Sequence, residues 1–276
     1  MRMQFVLCVA SAACLWSSVS CQQLIKLMSS AQMKMLHAAM DGDGDELVSF
    51  EEASNVVREL RTAEAWRQGM PIMQNMDSNK DGFLSHAELV EDLSHFRIPL
   101  ARKAAFADSF ASFDEDGDGL LSSDEVLPLI NFMFPFQKLD SNQNGVLTLS
   151  EFRAIAAPKL TGAPAAEVAK SKAESKVIFV ALDADSDGRL SGKEHYTYES
   201  GIYAGLAALR KLFELSDTTG DGLISADEMV ECRSNQQFGG SAAYHHSQDW
   251  INRIEQVVRA AQQQQQQAKG KGKAEL

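Results

Sequence analysis

The chain has 276 residues, 45% of them hydrophobic, and its acidic residues outnumber the basic ones 38 to 26, for a formal charge of −12. That length can build one large domain or two ordinary ones with buried cores. The negative balance argues against nucleic-acid binding, which needs a basic face to displace phosphate counterions, and the composition excludes collagen-like, disulfide-stapled and wholly disordered classes.

Residues 1–21 begin with the single cation Arg2, continue as an apolar stretch from Met3 to Trp16, and end in the small residues Ser17, Ser18 and Ser20. That order predicts a secretory signal peptide, cleaved after Ser20 or Cys21. The apolar stretch is shorter than the roughly 20 residues that cross a bilayer, and no other run in the chain reaches that length. Three of the four cysteines (Cys8, Cys14 and Cys21) fall in this segment, which leaves Cys232 without a disulfide partner. Its place in a helical apolar pattern predicts a small core residue, not a reactive thiol.

One twelve-residue pattern then recurs six times: DGDGDELVSFEE from Asp41, DSNKDGFLSHAE from Asp77, DEDGDGLLSSDE from Asp114, DSNQNGVLTLSE from Asp140, DADSDGRLSGKE from Asp183 and DTTGDGLISADE from Asp217. Position one is always Asp, position twelve always Glu, position nine Ser or Thr, and position eight an aliphatic residue (Val48, Leu84, Leu121, Leu147, Leu190 and Ile224). Position six is Gly82, Gly119, Gly145, Gly188 and Gly222 in five copies but Glu46 in the first. A sharp turn with positive φ is free for glycine and costs another residue on the order of 1 kcal/mol. The first loop is therefore expected to be the weakest.

These segments resemble the calcium loop of the EF-hand family. The resemblance implies an all-α fold of tandem helix-loop-helix hands, with short two-stranded contacts between paired loops. It also implies a ligand set at positions one, three, five, seven (through the backbone carbonyl) and twelve, since calcium takes six to eight oxygens. In the first three loops these are Asp41, Asp43, Asp45, Leu47 and Glu52; Asp77, Asn79, Asp81, Phe83 and Glu88; and Asp114, Asp116, Asp118, Leu120 and Glu125. In the last three they are Asp140, Asn142, Asn144, Val146 and Glu151; Asp183, Asp185, Asp187, Arg189 and Glu194; and Asp217, Thr219, Asp221, Leu223 and Glu228. Position nine is suited to bridging through water. Four to six bound Ca2+ ions are expected, held less strongly where Asn142, Asn144 and Thr219 replace acids.

Apolar residues one, four and eight places before a loop should share one helix face. Phe113, Phe110 and Phe106 do so for the third hand, and Leu139, Phe136 and Phe132 for the fourth. Loop spacing suggests that hands one and two pair over residues 24–97 and hands five and six over 165–236. Hands three and four occupy 101–160, with an abbreviated helix between them because only 126–139 separate their loops and Pro128 and Pro135 interrupt that stretch. APKLTGAP at 157–164 reads as a domain boundary. An amphipathic helix with Trp250, Ile254, Val257 and Ala261 on one stripe, followed by a Gln tract, is expected over 247–267, and a disordered basic tail over 268–276.

The chain ends Lys273-Ala274-Glu275-Leu276, which resembles a retrieval address of the endoplasmic reticulum lumen. A signal segment, six hands and such an ending are similar to the calumenin and reticulocalbin group. That resemblance implies a calcium buffer or calcium-dependent client-binding protein of the secretory pathway lumen, with secretion as the alternative address. The other functional reading is a calmodulin-like sensor, in which Met28, Met33, Met35, Met40, Met70, Met73 and Met76 would line a groove for amphipathic partner helices. No nucleophile–base pair or phosphate loop stands outside the hands, so no catalysis is expected.

Overall fold

The computed structural model describes residues 28–95, 100–133, 135–155 and 157–274. The expected signal segment and the last two residues lie outside that range. Helices α1 (Ser30–Met40) and α2 (Phe50–Met76) flank the first acidic loop, and α3 (His86–His95) leaves the second. Helices α4 (Leu100–Phe113) and α5 (Ser123–Met133) flank the third loop. The fourth is entered through one 3-10 turn, Phe136–Lys138, and left by the short α6 (Leu149–Arg153). Then follow α7 (Ala165–Leu182) and α8 (Gly192–Glu199) around the fifth loop, α9 (Ile202–Ser216) and α10 (Ala226–Cys232) around the sixth, and α11 (Ala242–Ala274). The fold is all-α.

The loops pair differently from the sequential order that their spacing suggested. Strand β1 (Leu47–Ser49) of the first loop is antiparallel to β4 (Leu223–Ser225) of the sixth, with Val48 opposite Ile224. Strand β2 (Leu84–Ser85) of the second loop pairs with β3 (Leu120–Leu121) of the third, and Leu147 of the fourth bridges Leu190 of the fifth. The cause is α2. It leaves the first loop and enters the second without a break, and its 27 residues span about 40 Å at the usual rise, which holds those two loops at opposite ends of a rod.

Two cores follow from this pairing. One unites hands one and six with α11: Met33, Leu36 and Met40 of α1, Val57 of α2, Leu209 and Leu212 of α9, and Trp250 and Ile251 are all buried in it. The other runs from Met73 through Phe106, Phe113, Phe132 and Phe152 to Phe179 and Leu190. It crosses 157–164 without interruption, for the Phe152 and Phe179 rings on either side stand 5.9 Å apart. The Pro-rich segment is thus a surface connection within one core, not a domain boundary. Of the predicted helix faces, Phe106, Phe110 and Phe113 are buried, and so are Phe132 and Phe136 with Leu139 half-buried beside them; in the last helix Trp250 is buried and Ile254 partly so, whereas Val257 stands 64% exposed. Cys232 is buried as expected, and burial pushes its thiol up.

The last helix is longer than its apolar stripe suggested. Gly240 takes a positive φ of 82° and the Ser241 Oγ accepts from the Tyr244 amide, which starts α11 at Ala242. Gln, Ala and Lys are good helix formers, so the backbone stays helical through the Gln tract to Ala274 instead of loosening at 268. No helix of the described residues is long and apolar enough to cross a membrane.

Candidate metal centres

Each loop starts where a helix runs out of partners. The amides of Asp41, Asp77, Asp183 and Asp217 still bond to carbonyls of the entering helix (His37, Met73, Phe179 and Phe213), while their own ψ angles, 84–92°, leave the helical range. The side chain of position one then gathers the loop around itself. In the first loop Asp41 accepts from the amides of Gly44 and Glu46 at 2.8 and 3.1 Å, and in the sixth Asp217 accepts from Gly220 and Gly222 at 2.7 and 3.0 Å. Asp77, Asp114, Asp140 and Asp183 hold the corresponding amides of Gly82, Gly119, Gly145 and Gly188.

Glu46 takes a φ of 70°, the same left-handed turn as the five glycines. The first loop thus reaches the common shape despite the penalty, with Asp41 as the holding acceptor. Position four is left-handed in all six loops as well, at Gly44, Lys80, Gly117, Gln143, Ser186 and Gly220. The residue variety there gave no sequence pattern from which this could be read.

Positions three and five repeat a short step. Asp43, Asn79, Asp116, Asn142 and Asp185 each accept from the amide two residues on, whereas Thr219 makes no such bond. Asp45, Asp81, Asp118, Asn144, Asp187 and Asp221 accept from the amides of Leu47, Phe83, Leu120, Val146, Arg189 and Leu223.

Position nine plays a second part beside the water-bridging one expected of it. Ser49, Thr148, Ser191 and Ser225 are N-caps of the exiting helices, and the closing glutamate is the third residue of each. Hydroxyl and carboxylate satisfy each other's end of the helix in a capping box. The Ser/Thr-x-x-Glu spacing was visible in every copy. Through this box, Ser225 and Thr218 hold the two oxygens of Glu228 in different directions, Oε2 toward the cap and Oε1 toward the start of the loop.

These bonds favour the charged carboxylate. The Ser225 amide, then its hydroxyl, hold Glu228 down at about 2 against slight burial, and Thr148 does the same for Glu151. For Glu88, burial is outweighed by the amide and hydroxyl of Ser85, again giving about 2. Glu52 is brought to about 2 chiefly by the Ser49 hydroxyl.

Carboxylates converge in three of the loops. Oxygens of Asp41, Asp43 and Asp45, of Asp114, Asp116 and Asp118, and of Asp183, Asp185 and Glu194 all lie within 4.8 Å of one another in their groups. Like charges that close repel unless a cation stands among them. An all-oxygen, carboxylate-rich donor set with flexible spacing fits calcium, and it lacks the imidazole or thiolate that softer metals prefer. Beside the first loop a concavity of about 390 Å³ is lined by Asp43, Asp45 and Glu52, and also by Leu223 of the sixth.

Comparison with known proteins agrees with this chemistry. A family model described as EF hand matches residues 72–94, 106–126, 136–156 and 209–232, which contain the second, third, fourth and sixth loops. The first and fifth loops share the same turn geometry outside those matches. The chain is 28% identical over 176 residues to calcium-binding protein LPS1-beta of Lytechinus pictus, covering 60% of this chain and 66% of that one. It is 24% identical over 225 residues to LPS1-alpha of the same organism, covering 74% and 66%. The chain thus spans just under two thirds of the length of these relatives. A solved homolog of programmed cell death 6 protein from Leishmania major Friedlin matches 60% of this chain and 91% of its own, at 21% identity and a TM-score of 0.24.

Proposed function

We propose that this chain is an EF-hand protein that binds calcium through its hands, and that it acts as a multi-site calcium buffer or calcium-dependent client-binding protein of the secretory pathway lumen, without catalysis of its own. The ligands we assign are the side chains at positions one, three, five and twelve of the six loops, with the carbonyl of position seven. Four to six ions is the expected load. The order of filling follows the acid count, with the Asn142 and Asn144 loop weakest among those with glycine at position six.

One observation supports a buffer over a sensor. Most of the methionines that could line an open groove are already packed into the cores: Met28, Met33, Met40, Met73 and Met76 are buried and Met35 is partly so, while Met70 is exposed, and Trp250 of α11 fills the face between hands one and six. A sensor must expose such a face on binding calcium. The luminal address is supported by the signal-like residues 1–21 and the final tetrapeptide.

Calorimetric titration with calcium, run beside a dye that reports exposed apolar surface, tests the reading. Several weak sites with unchanged dye binding support a buffer. Tight, cooperative sites with new apolar exposure support the calmodulin-like alternative, and fewer than two bound ions would reject both.

A further inference from the structure

Helix α2 turns one face, from Arg61 to Ile72, toward a cleft of about 670 Å³. That stretch covers about 16 Å at the helical rise, and the volume is in the range of small-molecule sites. The other walls are Leu127 and Ile130 of α5, the end of α8, and Arg253 of α11. The lining includes none of the assigned calcium ligands.

The cleft changes character along its length. Toward Ile72 it is apolar: a Cβ on buried Gly69 would stand 3.0 Å from Leu127 Cδ2 and 3.5 Å from Ile130 Cδ1, so α2 and α5 close the floor there. Toward Arg61 it carries charge. Arg61 bonds Asp249 and His246 through Nη2, while its Nε is buried without a partner. Arg253 bonds Asp249 through Nε and Glu64 through Nη1, which leaves Nη2. One oxygen, Asp249 Oδ2, therefore holds both guanidinium groups. With Arg67, which also pairs with Glu64, three arginines face two carboxylates, a surplus of one positive charge in a chain whose formal charge is −12. Glu199 lines the same cleft but is exposed, where solvent screens it.

From this geometry we propose that the cleft binds a small amphipathic carboxylate, its head on the free edges of Arg61 and Arg253 and its apolar body along Ala65, Gly69 and Ile72, against Leu127 and Ile130. A guanidinium matches a carboxylate in shape as well as charge, and partial burial makes that bond stronger than at an open surface. An anion without the apolar body, or the body without the anion, satisfies one end alone. The inference uses no loop oxygen and stands apart from the calcium reading.

Octanoate is the probe, with octanamide as its uncharged copy and acetate as the head alone. Glycine-selective amide NMR of the full chain in calcium follows Gly69 and Gly201 in the cleft, and Gly82 and Gly222 in the second and sixth loops. Octanoate should shift Gly69 and Gly201 saturably, with a Kd of about 1 mM or tighter, and leave Gly82 and Gly222 still. Octanamide and acetate should bind more weakly by about fivefold or more. Arg253→Met should weaken octanoate by a similar factor and leave octanamide unchanged, whereas a purely structural arginine would weaken both alike. If Arg253→Met does not fold, Ala65→Phe leaves the ion pairs intact, fills the apolar end and should abolish octanoate binding. Acetyl-Leu-Leu with a free C-terminus is titrated beside octanoate, and the tighter of the two tells the end of an apolar peptide from a free acid as the source of the carboxylate. The proposal is overturned by the absence of a saturable shift at Gly69 and Gly201 up to about 5 mM, by equal binding of octanamide, by equal shifts in the loops, or by an Arg253→Met loss that octanamide shares.

Discussion

The Oγ of Ser225 donates to Oε2 of Glu228 at 2.9 Å, and the Glu228 amide donates back to that Oγ at 3.3 Å. The pair ends the sixth loop and starts α10 in one stroke. It also keeps the carboxylate charged and aimed before any ion arrives. Ser225→Ala removes the cap and frees the glutamate. A loss of about 1 kcal/mol in chelator is expected from the cap, with a weaker sixth site as well. Urea unfolding in chelator and calorimetry with calcium measure the two effects, and unchanged calcium affinity would show that the hydroxyl serves the helix alone.

Glu46 offers the opposite experiment. Its φ of 70° is the conformation that glycine adopts in the five sister loops. Glu46→Gly relieves that cost, so the metal-free protein should gain about 0.5–1 kcal/mol. The ladder to the sixth loop is untouched by the change. The first loop should then bind calcium more tightly, read as an earlier Gly44 shift in titration. A stability decrease would mean that the Glu46 side chain has contacts that outweigh its backbone.

Much of the site was legible because liganding chemistry leaves fixed residues at fixed spacing. Asp at one, Glu at twelve and an aliphatic residue at eight specify the loop whatever surrounds it, and the strands do contain Val48, Leu84, Leu121 and Ile224. Pairing was not legible, because position eight is aliphatic in every copy and any loop could pair with any other. The decision lies in the connections: α2 runs unbroken through Pro71 and separates two neighbours, while Gly201, at a φ of 78°, turns the chain between α8 and α9. The second role of position nine was present as a capping-box spacing but was masked by its expected part in hydration. The length of α11 escaped because its outer half has helix formers but no apolar stripe to announce it.

Acid should unfold the metal-free protein in two stages. His195 is fully buried, and burial lowers its pKa from 6.5 to about 4. Its neutral form is required by the fold, so its contribution is complete above pH 6.5 and fades as pH falls toward 4. The full difference is about 3 kcal/mol. His246, also lowered by burial and by Arg61, adds its own slope in the same direction. Glu88, Glu151 and Glu228, lowered from 4.5 to about 2, contribute above pH 4.5 and lose that contribution between there and pH 2. Denaturant unfolding in chelator from pH 8 to 3 should show both stages. In His195→Gln, which keeps an acceptor for the Asn131 amide, the stage between 6.5 and 4.5 should flatten while the carboxylate stage remains. An identical upper slope in the variant would remove His195 from the account.

The first and last hands also meet helix against helix. A Cβ built on Gly205 of α9 would stand 2.8 Å from Cγ1 of Val57 on α2, nearer than real side chains come. Glycine there lets the helices leaving the first loop and entering the sixth press together, and both residues are buried in the core they share. Gly205→Ala should therefore force the helices apart and destabilise the protein by about 1–3 kcal/mol, despite the better helix propensity of alanine. Val57→Ala makes room for the new methyl. The double variant should be more stable than the sum of the two single losses by at least about 0.5 kcal/mol, the coupling expected of residues in contact. Strict additivity in urea unfolding would mean that α2 and α9 do not meet at this point.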